Sequence, residues 1–307
     1  MSTELEIFDR RLLARRRDRA AAHANECDFL LQRVADDIVV RLDVVRRQFP
    51  VVLNLGVHHG LLGRRIRGMP GVSMVIDADL SPRLVAQCPR PRLVADEELL
   101  PFREASLDLV LSGLSLQFVN DLPGALLQIR RALKPDGLFL AAMLGGQTLG
   151  ELRHAFLLAE DEVDGGASPR VAPFADVRDL GGLLQRAGFA LPVTDSDIVA
   201  VTYASPLRLM QELKAMGASN MLAARRRRFM TQRTLTRAAE IYVEQFGRPD
   251  GRVPATFEII TLTGWAPHES QQQPLRPGSA RMRLADALGA KEIATGVKAG
   301  PPRRSKR

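Results

Sequence analysis

A glycine-containing turn between residues 51 and 60 carries the clearest chemical signal in the chain. The apolar residues 51–53 lead into Asn54, and Gly56 and Gly60 follow before an amphipathic segment. This order is typical of a buried strand, a tight turn and the start of a helix. Because glycine has no Cβ, such a turn brings backbone N–H groups close to a bound ligand. The turn therefore predicts a ligand site at the end of this strand.

Polar residues follow three further apolar segments. Asp79 comes 19 residues after Gly60, Asp96 and Glu97 follow the next apolar segment, and Ser112 ends another. An acid at position 79 can accept hydrogen bonds from both ribose hydroxyls of a nucleoside. An acid at 96–97 can accept from an adenine amino group, and Ser112 can face the amino-acid portion of a cofactor. A lone acid at the end of a strand is more often an ordinary loop residue or helix cap, so the prediction depends on the order of these residues along the chain.

The elements that must position these residues alternate along the chain. Strands are predicted at 51–55, 72–78, 92–95, 107–112 and 138–144, and helices at 61–67, from 82, and at 122–133. This alternation predicts an α/β fold with a mostly parallel sheet and helices on both faces. Since ligands bind at the carboxyl ends of strands in such sheets, the four polar features are expected at one edge.

Four regions are predicted from these patterns. Residues 1–50 form an amino-terminal extension. Within it, residues 7–47 are predicted to be helical, and Phe49-Pro50 ends the helical stretch. Residues 51–270 form the α/β domain, closed by an extended segment at 189–203 and a strand at 255–264. Helices at 206–216 and 234–246 make an insertion, about 205–251, between those last two strands. Residues 271–307 form a separate tail.

Charge is concentrated in that tail. It holds nine basic and two acidic residues, a net charge of +7 out of +8 for the whole chain. With its glycines and prolines, it is predicted to be a flexible, solvated appendage, and an electrostatic tether to an acidic surface or to RNA is the alternative. The arginine run at 225–228 has no interleaved aromatic residues, which favours a solvated helix face over a nucleic-acid site.

Composition limits the remaining classes. The 307 residues are 46% apolar, and no apolar run reaches the roughly 20 residues that span a bilayer. The opening MSTELEIFDRR lacks an apolar signal core. Cys27 and Cys88 fit no metal spacing and are interpreted as buried or incidental thiols. With 38 Arg against 5 Lys, the chain is expected to be a cytoplasmic protein of a GC-rich bacterium.

Residues 94–146 resemble the type-11 group of class I S-adenosylmethionine-dependent methyltransferases. The segments that carry this resemblance are ADEELLPF, SLDLV and LKPDG. IFDRRL, SLQFVNDLP and VPATFEIITLTGWAPHESQ extend it to the family of mitochondrial complex I assembly factor 5 and its bacterial relatives, over roughly residues 5–280. The biotin-pathway malonyl carrier-protein methyltransferase is a more distant resemblance. A Rossmann-like seven-stranded fold that binds S-adenosylmethionine is what these resemblances imply.

Carried over by position, Gly56 and Gly60 match two motif glycines, Asp79 the ribose-binding acid and Asp96 the adenine-contacting acid. Asn54 and His58 depart from the family, which has an acid and a glycine there. A Cβ at 58 narrows the site, although His tolerates positive φ better than most residues. The predicted cofactor-binding residues are Asn54, Gly56, His58, Gly60, Asp79, Asp96, Glu97 and Ser112, and no catalytic residue is assigned.

Other candidates have simpler interpretations. His58 and His59 could form a metal pair, but adjacent residues on a turn seldom point the same way, so no metal is predicted. Tyr203, Trp265, His268 and Glu269 match positions near the pocket mouth in the family, whereas Trp265 is better interpreted as a packing residue.

Three functions therefore remain open. The first is S-adenosylmethionine-dependent methyl transfer to a protein or small molecule. The second, implied by the resemblance, is a complex I assembly factor that hydroxylates an arginine of a complex I subunit. The third is a pseudoenzyme with a narrowed cofactor site.

Overall fold

The structure is a computed structural model that describes residues 6–272, 279, 282 and 284–291. Its centre is a seven-stranded sheet in the order β3-β2-β1-β4-β5-β7-β6. The strands are β1 (Val51–Leu55), β2 (Met74–Asp79), β3 (Arg92–Val94), β4 (Leu107–Gly113), β5 (Leu133–Leu144), β6 (Ala190–Tyr203) and β7 (Val253–Trp265). The first five are parallel, and β7 is antiparallel to both β5 and β6. The mostly parallel α/β fold predicted from the sequence is confirmed.

Ten helices accompany the sheet among the described residues. They are α1 (Arg10–Ala20), α2 (Phe29–Asp43), α3 (Leu61–Ile66), α4 (Pro82–Ala86), α5 (Leu122–Ala132), α6 (Gly150–Asp164), α7 (Val177–Arg186), α8 (Pro206–Ala215), α9 (Gln232–Phe246) and α10 (Leu284–Leu288). The chain up to His268 forms one compact unit, and the chain from Glu269 onward, with α10, forms a second. The predicted flexible tail lies largely outside the described residues. None of the helices in the described ranges is long and apolar enough to cross a bilayer.

The core lies on both faces of the sheet because side chains alternate along each strand. On one face, Val52 and Leu109 pack with α2, α3, α6 and α9. On the other, Leu53 and Val110 pack with α5 and α7. The two-faced burial explains why the central strands read as continuous apolar runs in the sequence.

The amino-terminal extension differs from the single helical stretch predicted over 7–47. A short 3₁₀ turn at Ala21–His23 follows α1, and α2 begins only at Phe29. The break separates two environments. Helix α2 buries Val34 and Ile38 in the sheet core, whereas α1 crosses the carboxyl ends of the strands, where Asp18 accepts a hydrogen bond from Ser81 Oγ at 2.5 Å.

Two local predictions are corrected. The LKPDG segment lies inside β5 rather than in a turn before it, because Leu133 already pairs with Leu107 and Asp136 N–H donates to Ala266 O on the other side. The arginine run at 225–228 is a loop rather than a helix face. The insertion itself, α8 and α9 between β6 and β7, is where the sequence predicted it.

Candidate functional site

The turn after β1 is held tightly against the protein itself. Gly56 and Gly60 have φ angles of 72° and 83°, in the left-handed region that favours glycine. A Cβ on Gly56 would lie 2.1 Å from Ser115 Cβ, and one on Gly60 would lie 2.8 Å from Cys88 Sγ. Both glycines are therefore required for the packing of the loop, whatever it binds.

His58 adopts the conformation expected of the glycine that it replaces. Its φ is 51°, its backbone N–H donates to Asp79 Oδ2 at 3.2 Å, and its ring Nε2 lies 2.9 Å from the carbonyl oxygen of Gly113. Burial, followed by the charge of Arg17, lowers the pKa of His58 to about 4. The ring is therefore neutral near pH 7, and Nε2 must carry the proton because its partner is a carbonyl.

Asp79 lies at the end of β2 with no solvent exposure. Its oxygens accept from the backbone N–H groups of Ser81 and His58, and both lie 3.3 Å from Nη1 of Arg17. Arg17 belongs to α1 and is 4% exposed. The acid predicted to bind a ribose is thus bound by a guanidinium group of the same chain.

Glu97, rather than Asp96, is the buried acid after β3. The Glu97 side chain is inaccessible to solvent, whereas that of Asp96 is 33% exposed. Glu97 Oε1 accepts from Ser115 Oγ at 2.5 Å and lies 3.4 Å from Arg17 Nη1. Burial alone would raise the pKa of Glu97, but Arg17, Arg10 and Ser115 outweigh it and lower that pKa to about 2.

A second arginine of α1 closes the same cluster. Arg10 forms ion pairs with Glu97 and, at 2.5 Å, with Asp96, and it donates to Phe118 O at 3.0 Å. Arg10, Leu13 and Arg17 are spaced so that they lie on one side of α1 and point toward the sheet. Sequence reasoning missed both arginines, and this spacing, with the buried Leu13 between them, was the signal available.

The structure does not bring Asn54 into the cluster. Its Nδ2 donates to Asp77 Oδ1 at 2.8 Å, and it lies under Gly63 of α3. Arg67 pairs with the other oxygen of Asp77 at 2.5 Å. An aspartate at 54 would face the carboxylate of Asp77, since the two residues are paired in register. The amide keeps the shape of the acid and supplies the donor that Asp77 requires.

Ser112 lies at the end of β4, and its buried hydroxyl has no hydrogen-bond partner among the described residues. Ser115, two positions past the strand, instead takes part in the cluster through Glu97 and through Arg17 Nη2 at 3.0 Å.

His59 has a separate role from His58. Its Nε2 lies 3.0 Å from Asp28 at the start of α2, and its Nδ1 lies 3.1 Å from Arg64 of α3. The two adjacent rings therefore point at different partners. Within residues 6–272, 279, 282 and 284–291, no group of three His, Cys, Asp or Glu side chains comes together in a way that could hold a metal.

Among the candidates near the chain end, Trp265 lies away from the strand ends that carry the acids. Trp265 pairs with Leu138 at the amino end of β5, whereas Ile259 pairs with Leu144 at the carboxyl end. Because β7 runs antiparallel to β5, Trp265 lies at the opposite edge of the sheet from Asp79. His268 follows it, and Glu269 belongs to the second unit. Tyr203 is buried in the core, and burial raises the pKa of its hydroxyl.

A cavity of about 320 Å³ adjoins the acid cluster. Its wall is mostly apolar, and Arg17 and His58 lie in the part of the wall that borders the acids. The apolar lining includes Leu31, Leu114, Phe118, Phe156, Phe174 and Met210. The site thus has two compartments, a charged one at the strand ends and an apolar one beside it, and α1 contributes to the wall of both.

This fold and this arrangement of strand ends define a methyltransferase-fold protein. Residues 53–141 match the family model described as a methyltransferase domain. The fold also resembles a solved structure of a putative methyltransferase from Bacillus halodurans, with a TM-score of 0.53 and 15% identity over 76% of this chain and 98% of that one.

Relatives that match over most of the chain define the family further. The chain is 41% identical to arginine-hydroxylase NDUFAF5, mitochondrial, of Danio rerio over 92% of this chain and 89% of that protein. It is 40% identical to the Homo sapiens protein of the same name over 92% and 83%. It is also 35% identical to malonyl-[acyl-carrier protein] O-methyltransferase of Halorhodospira halophila over 91% and 95%. The chain belongs to the methyltransferase family that includes the NDUFAF5 arginine-hydroxylases.

S-adenosylmethionine is the cofactor of this enzyme family, and the site has residues of the chemical types that would bind it. Asp79 and Glu97 are acceptors at adjacent strand ends, beside a turn with two left-handed glycines. In this conformation, however, Arg17 lies within hydrogen-bonding distance of both Asp79 oxygens. A ribose can use them only if the arginine moves.

Proposed function

We propose that the chain binds S-adenosylmethionine at the carboxyl ends of β1, β2 and β4 and modifies a protein side chain that enters the apolar cavity. One observation carries this proposal. Two fully buried acids, Asp79 and Glu97, face the glycine turn, and the cations that neutralise them come from α1, outside the sheet.

Each residue has a role in this proposal. Asp79 would accept hydrogen bonds from the ribose hydroxyls and Glu97 from the adenine amino group, once Arg17 had withdrawn from both acids. His58 stays neutral and holds the loop in its conformation through hydrogen bonds to Asp79 and to the carbonyl oxygen of Gly113. S-adenosylmethionine bound in this way would supply an activated methyl group to the acceptor.

A protein-borne acceptor is favoured over a free small molecule by the relatives. Malonyl-[acyl-carrier protein] O-methyltransferase is named for a group carried on a protein, and the arginine-hydroxylases are named for an arginine. The partner we propose is a respiratory complex I subunit. A cytoplasmic location in a bacterium stays a prediction from composition, since the NDUFAF5 relatives are named as mitochondrial.

Arginine hydroxylation is the second candidate. It is supported by the higher identity to arginine-hydroxylase NDUFAF5, 41% against 35% for the malonyl methyltransferase. Such a reaction inserts one atom of dioxygen into a C–H bond and reduces the other to water, with two electrons from a reductant and two protons.

Mass analysis of the acceptor separates these reactions. The protein is incubated with complex I subunits and S-adenosylmethionine, and in a parallel sample with dioxygen and a reductant as well. Methyl transfer adds the mass of one methylene group to a single residue, and hydroxylation adds one oxygen atom. Asp79→Asn should reduce either product. No product in either sample, together with no cofactor binding, would support the pseudoenzyme and contradict the proposal.

A further inference from the structure

Two basic runs that are more than two hundred residues apart in the sequence meet in the fold. Helix α1 contains one run, and the loop before α9 contains the other. Asp9 N–H donates to Met221 O at 2.9 Å, and Ala223 N–H donates to Ile7 O at 2.8 Å. Arg225 also pairs with Asp9 at 3.1 Å. The two segments are therefore joined by backbone hydrogen bonds and an ion pair.

Both of these joined segments carry exposed arginines, which we group as one arginine surface. Arg11, Arg15 and Arg19 are spaced four apart, so they form one stripe along α1, and all three are exposed. Arg227 and Arg228 are exposed in the loop, whereas Arg225 and Arg226 turn inward to Asp9 and Asp164. We define the arginine surface by its five exposed members, Arg11, Arg15, Arg19, Arg227 and Arg228.

The five members of the arginine surface make no ion pair with a described carboxylate, which is also true of other exposed arginines such as Arg46 and Arg131. Some arginines elsewhere in the described chain do make such pairs. Arg33 pairs with Asp197, Arg41 with Asp195, and Arg237 with Glu162. No carboxylate among residues 6–272, 279, 282 and 284–291 pairs with a member of the arginine surface. Phe229, next to Arg228, is 100% exposed. An unpaired cationic surface with an exposed aromatic side chain is typical of a contact site.

The same two segments form part of the cavity wall on their inner side. Leu13 and Arg17 of α1 line the cavity, and so do Met221, Leu222 and Met230 of the loop. A partner bound to the arginine surface would therefore lie against the wall of the compartment that is to receive the acceptor.

We propose that the arginine surface docks an acidic protein segment that carries the acceptor residue. This inference rests on the proposed function, because it takes the cavity as the acceptor compartment. A nucleic acid fits less well, since single strands stack on successive aromatic side chains and Phe229 is the single aromatic residue of this loop. A membrane fits less well, since interfacial helices present an apolar face, whereas the outer stripe of α1 is cationic.

The test uses the full chain and three labelled probes. The first is a synthetic peptide with a central arginine flanked by glutamates, compared with the same peptide carrying glutamines. The second is vesicles of phosphatidylglycerol and phosphatidylcholine, and the third is polyuridine RNA. The surface variant replaces Arg15, Arg19, Arg227 and Arg228 by glutamine. The matched control replaces four other exposed arginines without ion pairs, Arg46, Arg131, Arg178 and Arg186, by glutamine.

The surface variant should bind the glutamate peptide about 10-fold or more weakly than wild type, because each exposed charge contact contributes up to about 1 kcal/mol. The control variant and the glutamine peptide should show no such difference. Equal binding by the two variants would overturn the proposal, and so would an effect confined to vesicles or RNA. Titration of the surface variant with S-adenosylmethionine keeps the two proposals apart, because its cofactor affinity should equal that of wild type whether or not the peptide binds.

Discussion

Helix α1 contributes to both compartments of the site, but one compartment is charged and the other is apolar. At the strand ends, α1 inserts Arg10 and Arg17 among buried carboxylates, and each charged group there has a partner. In the cavity of about 320 Å³, the same helix contributes Leu13 to an apolar wall. A ligand can therefore enter the cavity without breaking an ion pair, whereas in the charged compartment it must replace the ion pairs that α1 makes with the acids. This contrast predicts that changes on the two sides of α1 will have separable effects.

The largest expected effect comes from removing the cation between the acids. Arg17→Met should lower the free energy of unfolding by about 3–5 kcal/mol, because it leaves Asp79 and Glu97 buried without their shared partner. The measurement is chemical denaturation in the absence of ligand. Arg15→Met, on the exposed side of the same helix, should change stability by no more than about 0.5 kcal/mol. Equal losses for the two variants would show that Arg17 is not the partner on which the acids depend.

The pH dependence of stability tests the neutral ring of His58. Its pKa in the folded chain is about 4, below the ordinary value of 6.5, so between these values the unfolded chain binds a proton that the folded chain does not. Stability is therefore full above about pH 6.5 and falls as the pH drops toward 4. Wild type should lose up to about 3 kcal/mol more over this range than His58→Asn, a residue that tolerates positive φ. Parallel curves for the two proteins would contradict the assignment.

A change on the apolar side should separate the acceptor from the cofactor. Ala172 lines the cavity, and Ala172→Leu adds volume there without touching the acids. Acceptor modification should fall by about 10-fold or more, because a larger side chain takes part of the space the acceptor needs, while affinity for S-adenosylmethionine stays within about 2-fold. Ala167→Leu, exposed in the same segment, is the control. A parallel loss of cofactor affinity would mean that the compartments are not separate.

Sequence patterns predicted the elements better than the contacts between them. The bounds of β1 and the acid at the end of β2 follow from apolar runs and the residues that end them, which are local features. Arg17 could not be assigned in the same way, because a buried arginine is recognisable only once the acids that neutralise it are known. Glu97 and Asp96 are adjacent, so which one faces inward depends on the backbone after β3. The resemblance alone would place Trp265 near the pocket mouth, and the sequence could not show that it lies at the other edge, because the direction of β7 relative to β5 is a property of the whole sheet.

The central claim is that Arg17 holds the acids that the cofactor requires. Isothermal titration of S-adenosylmethionine into wild type, Arg17→Met and Arg15→Met tests it directly. The claim predicts that Arg17→Met binds the cofactor about 10-fold or more tightly than wild type, because no arginine has to be displaced, and that Arg15→Met binds as wild type does. Equal or weaker binding by Arg17→Met would contradict it and would make Arg17 part of the binding site rather than a competitor for it.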